Sequence, residues 1–133
     1  MSCVKHGDAL RIAEPGSTLD DHVWFVVSDP IKNPSKVLLL NMTSWGGGRG
    51  KDSDCVLDTT DHRLVKRKSC IEFGRPKVAK AADLHRLCSG ERLRNLGTVS
   101  GPLLTKILHA CAKARNLAIE HRELLAEQDL ITL

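Results

Sequence analysis

Long apolar runs are missing from this 133-residue chain, and nothing in it approaches the roughly 20 residues that a bilayer-spanning helix requires. The opening "MSCVKHGDALRI" has neither an extended apolar stretch nor a small-residue cleavage site, so a secretory leader is not expected. No Cys-x-x-Cys pair occurs. The five cysteines (Cys3, Cys55, Cys70, Cys88 and Cys111) are odd in number and widely spaced. That excludes a disulfide framework and a zinc ribbon, and it reads as reduced thiols in a cytoplasmic protein. There is no phosphate-binding P-loop, no Gly-x-Ser-x-Gly, no His-Glu-x-x-His and no paired Cys/His spacing, so no cofactor or metal is expected. "GGGRG" follows Trp45 and precedes no helical pattern, which makes it a loop rather than a dinucleotide fingerprint. No internal repeat or domain linker breaks the chain, and residues 1–133 read as one domain.

Positive charge is present, and it is concentrated. Between Arg63 and Lys80 lie seven basic residues and one acid, Glu72, so this segment alone is more positive than the whole chain's net +4. A basic stripe on a near-neutral body points to an anionic partner, phosphate first.

Hydrophobic patterning gives short strands first and helices later. "GDALRIA" (7–13) alternates loosely. "HVWFVVS" (22–28) is aromatic and β-branched, as a central strand should be. "VLLLNMTSW" (37–45) is apolar until Asn41. "CVLD" (55–58) and "SCIEF" (69–73) are two further strands, with "TTDHRLVKRK" between them. "EPGSTLDD" and "DPIKNPSK" are turn-rich connectors, and "GGGRGKDSD" is a mobile loop. From Val78 onward the spacing turns helical, with Gly90 a plausible stop. From Ser100, a helix cap, and Pro102, a first-turn residue, an apolar stripe runs through Leu103, Leu104, Ile107, Leu108, Cys111, Ala114, Leu117 and Ala118. It predicts one long C-terminal helix. The expected fold is therefore mainly β with C-terminal helices (α+β): a small, strongly bent barrel or sandwich over about 7–76 and a helical part over about 78–128. The long amphipathic helix has more apolar face than a small barrel can cover, which suggests a homodimer.

Polar groups gather at the predicted strand ends. Asp21 and His22 precede the second strand, and Asn41, Thr43 and Ser44 end the third. Asp61 and His62 lie in the turn before the fifth, which Ser69 opens. Closing a small barrel brings strand ends to one rim. Two histidines there can serve as general base and acid near neutral pH, since an unperturbed imidazole titrates at about 6.5. Hydroxyls such as that of Thr43 can donate to a phosphate oxygen, and Lys or Arg can stabilise its charge. With the substrate's own 2′-hydroxyl as nucleophile, such a set cuts RNA without a metal. Arg63, Lys66, Arg67 and Lys68 are candidates to hold the backbone, and Trp45 to stack a base. The bland readings stand beside these. His22 is then a surface group, "TDHR" a turn in which Asp61 bonds backbone amides, and Thr43 and Ser44 a strand cap.

In order, "GDALRIAEPGS", "HVWFVVSDP", "VLLLNMTSW", "LVKRKSCIEF" and "LGTVSGPLLTKILHACAKA" resemble the PemK/MazF-like toxin family, from Gly7 to about Ala114. The resemblance implies an SH3-like β-barrel of the CcdB/PemK type, usually a homodimer. It implies a metal-independent endoribonuclease that leaves a cyclic phosphate on single-stranded RNA. It also implies a small antitoxin whose disordered segment fills the RNA groove. Carried over, Gly7 and Asp8 match the opening pair, Thr43 or Ser44 the catalytic threonine, and Ser69 the later serine. The family's Arg-Pro at the start of the second strand is replaced by His22-Val23, so His22 stands where the phosphate-stabilising arginine belongs, with the Asp61–His62 pair as a further candidate. Two other readings are compatible with the same barrel: a non-catalytic RNA- or protein-binding module, or a CcdB-like toxin with a protein target.

Overall fold

A computed structural model describes residues 3–13, 22–45 and 54–133. The 14–21 connector, with Asp20 and Asp21, and the glycine-rich segment 46–53 lie outside the described residues.

Six strands and three helices follow in the order β1 (Asp8–Ile12), β2 (Val23–Val26), β3 (Val37–Ser44), β4 (Val56–Leu57), β5 (Ser69–Ala79), α1 (Ala81–Ser89), β6 (Leu93–Thr98), α2 (Gly101–Cys111) and α3 (Ile119–Glu127). All pairings are antiparallel, in the order β4-β5-β3-β2-β1-β6. The sheet is curled into a half-barrel, and two irregularities help bend it. Leu39 pairs with Lys77 but Asn41 pairs with Glu72, so β5 is bulged between Phe73 and Lys77. Pro76 lies in that bulge, where its missing N–H costs no ladder bond. The second shift falls between Asp8 and Leu10, where β1 pairs with β6.

Alternation sends the two faces of the sheet into two cores. Ala9, Val23, Phe25, Leu38, Leu40, Met42, Ile71 and Phe73 line the concave face, against Leu103, Ile107 and Cys111 of α2 and Leu124 and Leu125 of α3. Leu10, Ile12, Trp24, Val26, Val37 and Leu39 line the convex face, which Leu84 of α1 covers. The two edges of the sheet approach each other across the concave side. Arg63, in the loop between β4 and β5, donates from Nη2 to the Leu96 carbonyl of β6 at 2.9 Å.

The five predicted strands are present. The sixth, β6, is absent from the sequence reading because it is an edge strand with one buried residue, Leu93, and gives almost no hydrophobic signal. It places part of the expected helical region inside the sheet. β5 also runs on through Val78 and Ala79, so α1 begins later than the helical spacing suggests.

The long C-terminal helix is two helices. Ser100 does cap α2, accepting from Leu103 N at 3.3 Å, and Pro102 sits in the first turn. The chain then turns at 112–118, where Ala114 and Leu117 are buried. A continuous helix over 101–128 would extend about 42 Å, whereas an eight-residue strand such as β3 spans about 27 Å. The reversal returns Leu124 and Leu125 to the core. Gln128 fixes it, accepting from Asp29 N at 2.7 Å and donating to Asp29 O at 3.3 Å. Leu103, Ile107, Cys111, Ala114 and Leu117 of the apolar stripe are thus buried within the chain's own core, while Ala118 is exposed, and homodimerisation is left resting on the family resemblance.

Candidate functional site

The end of the sheet where β3 finishes gathers most of the predicted groups. Thr43 pairs with Cys70 and Ser44 with Ser69, and Trp45 N donates to Lys68 O at 2.9 Å. Val23 pairs with Met42, so the register continued by one residue sets His22 across from Thr43. Strand alternation then places His22, Thr43 and Trp45 on the convex face and Ser44 on the other. His22 and Ser44 are exposed, and Thr43 and Trp45 are half-buried. The Lys68 ammonium lies 5.6 Å from the Trp45 ring centroid, a cation–π contact at an accessible aromatic. Lys66 and Arg67 are exposed beside it. Ser69 is buried, and its hydroxyl donates to Arg67 O at 2.8 Å, which shapes the turn and leaves no exposed hydroxyl to meet a substrate.

His62 belongs to different surroundings. Its loop is built by short polar side chains: Asp58 N donates to Asp61 Oδ2 and Thr60 N to Asp58 Oδ1, both at 2.8 Å. The Thr60 bonds pull the Asp58 carboxyl below its usual range. Asp61 is also paired with Lys106 of α2, Nζ to Oδ1 at 3.1 Å. Asp61 is therefore the turn-former of the bland reading, with a helix contact added. The contacts that hold this loop run to α2 and, through Arg63, to β6.

The ring of His62 accepts a hydrogen bond at Nδ1 from Leu64 N, 3.1 Å away. That bond assigns the ring proton to Nε2. Burial, and then the Arg63 charge beside it, push its pKa below the ordinary value. Charging the ring would put a proton at Nδ1 against the Leu64 amide. A general base needs a vacant lone pair, and a general acid needs the charged form. His62 has neither in this arrangement, so the proton-transfer role expected of it is not supported by its geometry.

A pH prediction follows from that lowered pKa. A histidine whose folded pKa is depressed stabilises the fold fully above its unfolded value, near 6.5, and loses that contribution as pH falls below it. His62→Asn offers an amide oxygen where Nδ1 sits and cannot titrate. Wild type is expected to lose more of its urea midpoint between pH 7.5 and pH 5 than His62→Asn does. Equal losses would show that His62 is not held neutral by the fold.

Asn41, at the polar end of β3, is a buried polar group. It is 4% exposed on the convex face, its Oδ1 is buried without a hydrogen-bond partner, and it lies two residues before Thr43 on the same face. Its neighbour across the strands, Trp24, carries Lys77 Nζ over its ring at 5.4 Å. The polar break at Asn41 was visible in "LLLNMTS", but its burial was not.

The cysteines are all free thiols. Burial raises Cys3 and Cys55 to about 11 and Cys111 to about 12, so they stay protonated and unreactive at neutral pH. Among the described residues no three His, Cys, Asp or Glu side chains are grouped to hold a metal ion, and no helix is long and apolar enough to cross a membrane. No protein-family model matches this chain, and no curated protein or solved structure matches it either.

Proposed function

We propose that this chain binds single-stranded RNA along the β3–β5 rim and cleaves it without a metal, as a PemK/MazF-like type II toxin. What supports the proposal is the β2–β3 register, which ends at Val23–Met42 and, continued by one residue, sets His22 across from Thr43, two residues before Trp45 with Lys68 over its ring. In this reading Trp45 stacks a base, and Lys66, Arg67 and Lys68 hold the backbone. Thr43 donates to a non-bridging phosphate oxygen. His22 takes the proton of the 2′-hydroxyl as its oxygen bonds to phosphorus. The bond to the 5′-oxygen breaks, and that oxygen takes a proton from water. The products are a 2′,3′-cyclic phosphate and a 5′-hydroxyl. The curled β sheet with helices is compatible with the SH3-like barrel that the family resemblance implies. The antitoxin, the homodimer and the cytoplasmic setting follow from the same resemblance and from the reduced thiols.

A second reading keeps the RNA and removes the chemistry. It is favoured by the occupied Nδ1 of His62, which leaves His22 alone, in the place of the family's arginine, to move a proton. Incubating the purified chain with a labelled single-stranded RNA over a range of salt separates the two. Both readings expect affinity to fall with salt, and the Lys66/Arg67/Lys68→Ala triple variant to flatten the log–log slope by about 2, at about 0.7 per phosphate contact on single strands. Cyclic-phosphate products select the nuclease. Salt-dependent binding without product selects the binding module. No binding at 50 mM salt would remove both.

A further inference from the structure

We propose that Arg11, Arg94 and Arg63 form a phosphate-group binding site at the mouth of the concave face, separate from the Trp45–Lys68 rim. Arg11 of β1 and Arg94 of β6 are direct cross-strand partners, so their side chains leave the sheet on one face. It is the concave face, because Arg11 alternates with Leu10 and Ile12, which belong to the convex core. Like charges set directly opposite on neighbouring strands repel. A half-buried charge is ordinarily paired. Here neither condition is relieved: Arg11 is half-buried, its Nε is fully buried with no hydrogen-bond partner, and among the described residues no carboxylate is paired with Arg11 or Arg94.

The third cation is brought in by construction. Arg63 comes from the far edge of the half-barrel and is anchored by one Nη2 bond to Leu96 O, two residues along β6 from Arg94. Its guanidinium packs beside Gly97, which sits at φ +104; a Cβ there would lie in ordinary contact, 3.5 Å from Arg63 Nη2. Asn95 Oδ1 accepts from Gly97 N at 2.8 Å and holds that turn. Guanidinium groups present planar pairs of N–H donors that match phosphate oxygens. A bound phosphate would relieve the Arg11–Arg94 repulsion through the outer N–H groups of the guanidiniums, and the shielded Arg11 Nε–H would sense it without touching it.

The chemistry recognised is a phosphate group, which a free phosphate or the terminus of an oligonucleotide can supply. The site rests on its own geometry and does not require the rim to bind RNA. The experiment follows the ¹⁵Nε–¹Hε NMR signal of Arg11 in the full chain. Inorganic phosphate is titrated against chloride at equal ionic strength, then a 5′-phosphorylated RNA oligomer against its 5′-hydroxyl form. A saturable shift with phosphate is expected, weakened at least tenfold by the surface change Arg94→Gln and unaltered by Arg75→Gln, an exposed arginine outside the cluster. A stronger response to the phosphorylated oligomer than to its 5′-hydroxyl form identifies a terminal phosphate as ligand; a shift with inorganic phosphate and with neither oligomer identifies free phosphate. An Arg11 signal that neither probe moves, or equal losses in Arg94→Gln and Arg75→Gln, overturns the site. RNA binding that falls in Arg67→Ala while the Arg11 signal stays unmoved would leave the rim standing and this site refuted. A phosphate response in a chain that binds no RNA would do the reverse.

Discussion

His22→Ala is expected to slow cleavage of single-stranded RNA by about 10²–10⁴-fold, the range for loss of a general base, while the urea midpoint stays unchanged. The fold should tolerate it because His22 is exposed and precedes the first hydrogen-bonded pair of β2. Exposed substitutions of this kind usually stay within about 0.5 kcal/mol. Thr43→Val, close in shape but without the hydroxyl, should also slow cleavage if that hydroxyl meets the phosphate. Measuring product formation and RNA affinity on the same preparations separates chemistry from binding: His22→Ala should retain the affinity and lose the product. Wild-type rates in His22→Ala would refute the proposed mechanism. An equal loss in His62→Asn would return proton transfer to the second histidine, against the hydrogen bond that occupies it.

Asp8→Ala should be the most damaging polar substitution for stability, at about 3 kcal/mol, because it strands several hydrogen-bond donors around a buried carboxylate. Asp8 is 2% exposed. Its Oδ2 accepts from Lys5 N and from Asn95 Nδ2, both at 2.8 Å, and its Oδ1 accepts from Thr98 Oγ1 at 2.6 Å. The carboxylate thus fastens the start of β1 to β6 at the register shift. Asp8→Asn keeps one acceptor oxygen and places an amide against a hydroxyl that can rotate to accept, so its cost should be nearer 1 kcal/mol. In a thermal melt the alanine variant should fall by about 10 °C. A loss under about 0.5 kcal/mol would show that the three bonds contribute no net stability.

The Gly7–Asp8 pair illustrates what the sequence can and cannot show. As letters it was a turn signal and a family-like opening. In the fold, Gly7 holds φ +87, with Leu104 Cδ2 3.2 Å from where a Cβ would sit, and Asp8 is the buried knot beside it. Both have structural work to do. Strong local patterns were legible: Val23–Val26 and Val37–Leu40 are buried throughout, and Ser100 and Pro102 mark a real helix start. Pairings made by residues far apart were not. Leu93–Thr98 lacks the apolar alternation of a strand and is one only because β1 offers an open edge, and Arg11 could not be matched to Arg94 without it. The same limit applies at the candidate site. The strand-end positions of His22 and Thr43 can be read from the hydrophobic pattern, whereas the hydrogen bond that ties up His62 comes from the Leu64 amide, which no residue-type pattern announces.

The Asp8 fastening also bears on how the chain is made. Its partners Asn95 and Thr98 lie 87 and 90 residues downstream. While a ribosome is still synthesising the middle of the protein, β1 can join β2 but keeps one unpaired edge and an unsatisfied carboxylate. Native closure waits for β6 to emerge, and the concave core waits longer still, for α2 and α3. Long-range closure of this kind slows folding and prolongs the exposure of a strand edge to other chains. Overproduction at low temperature, or alongside a chaperone that shields nascent strands, should therefore raise soluble yield more than any change to the finished surface.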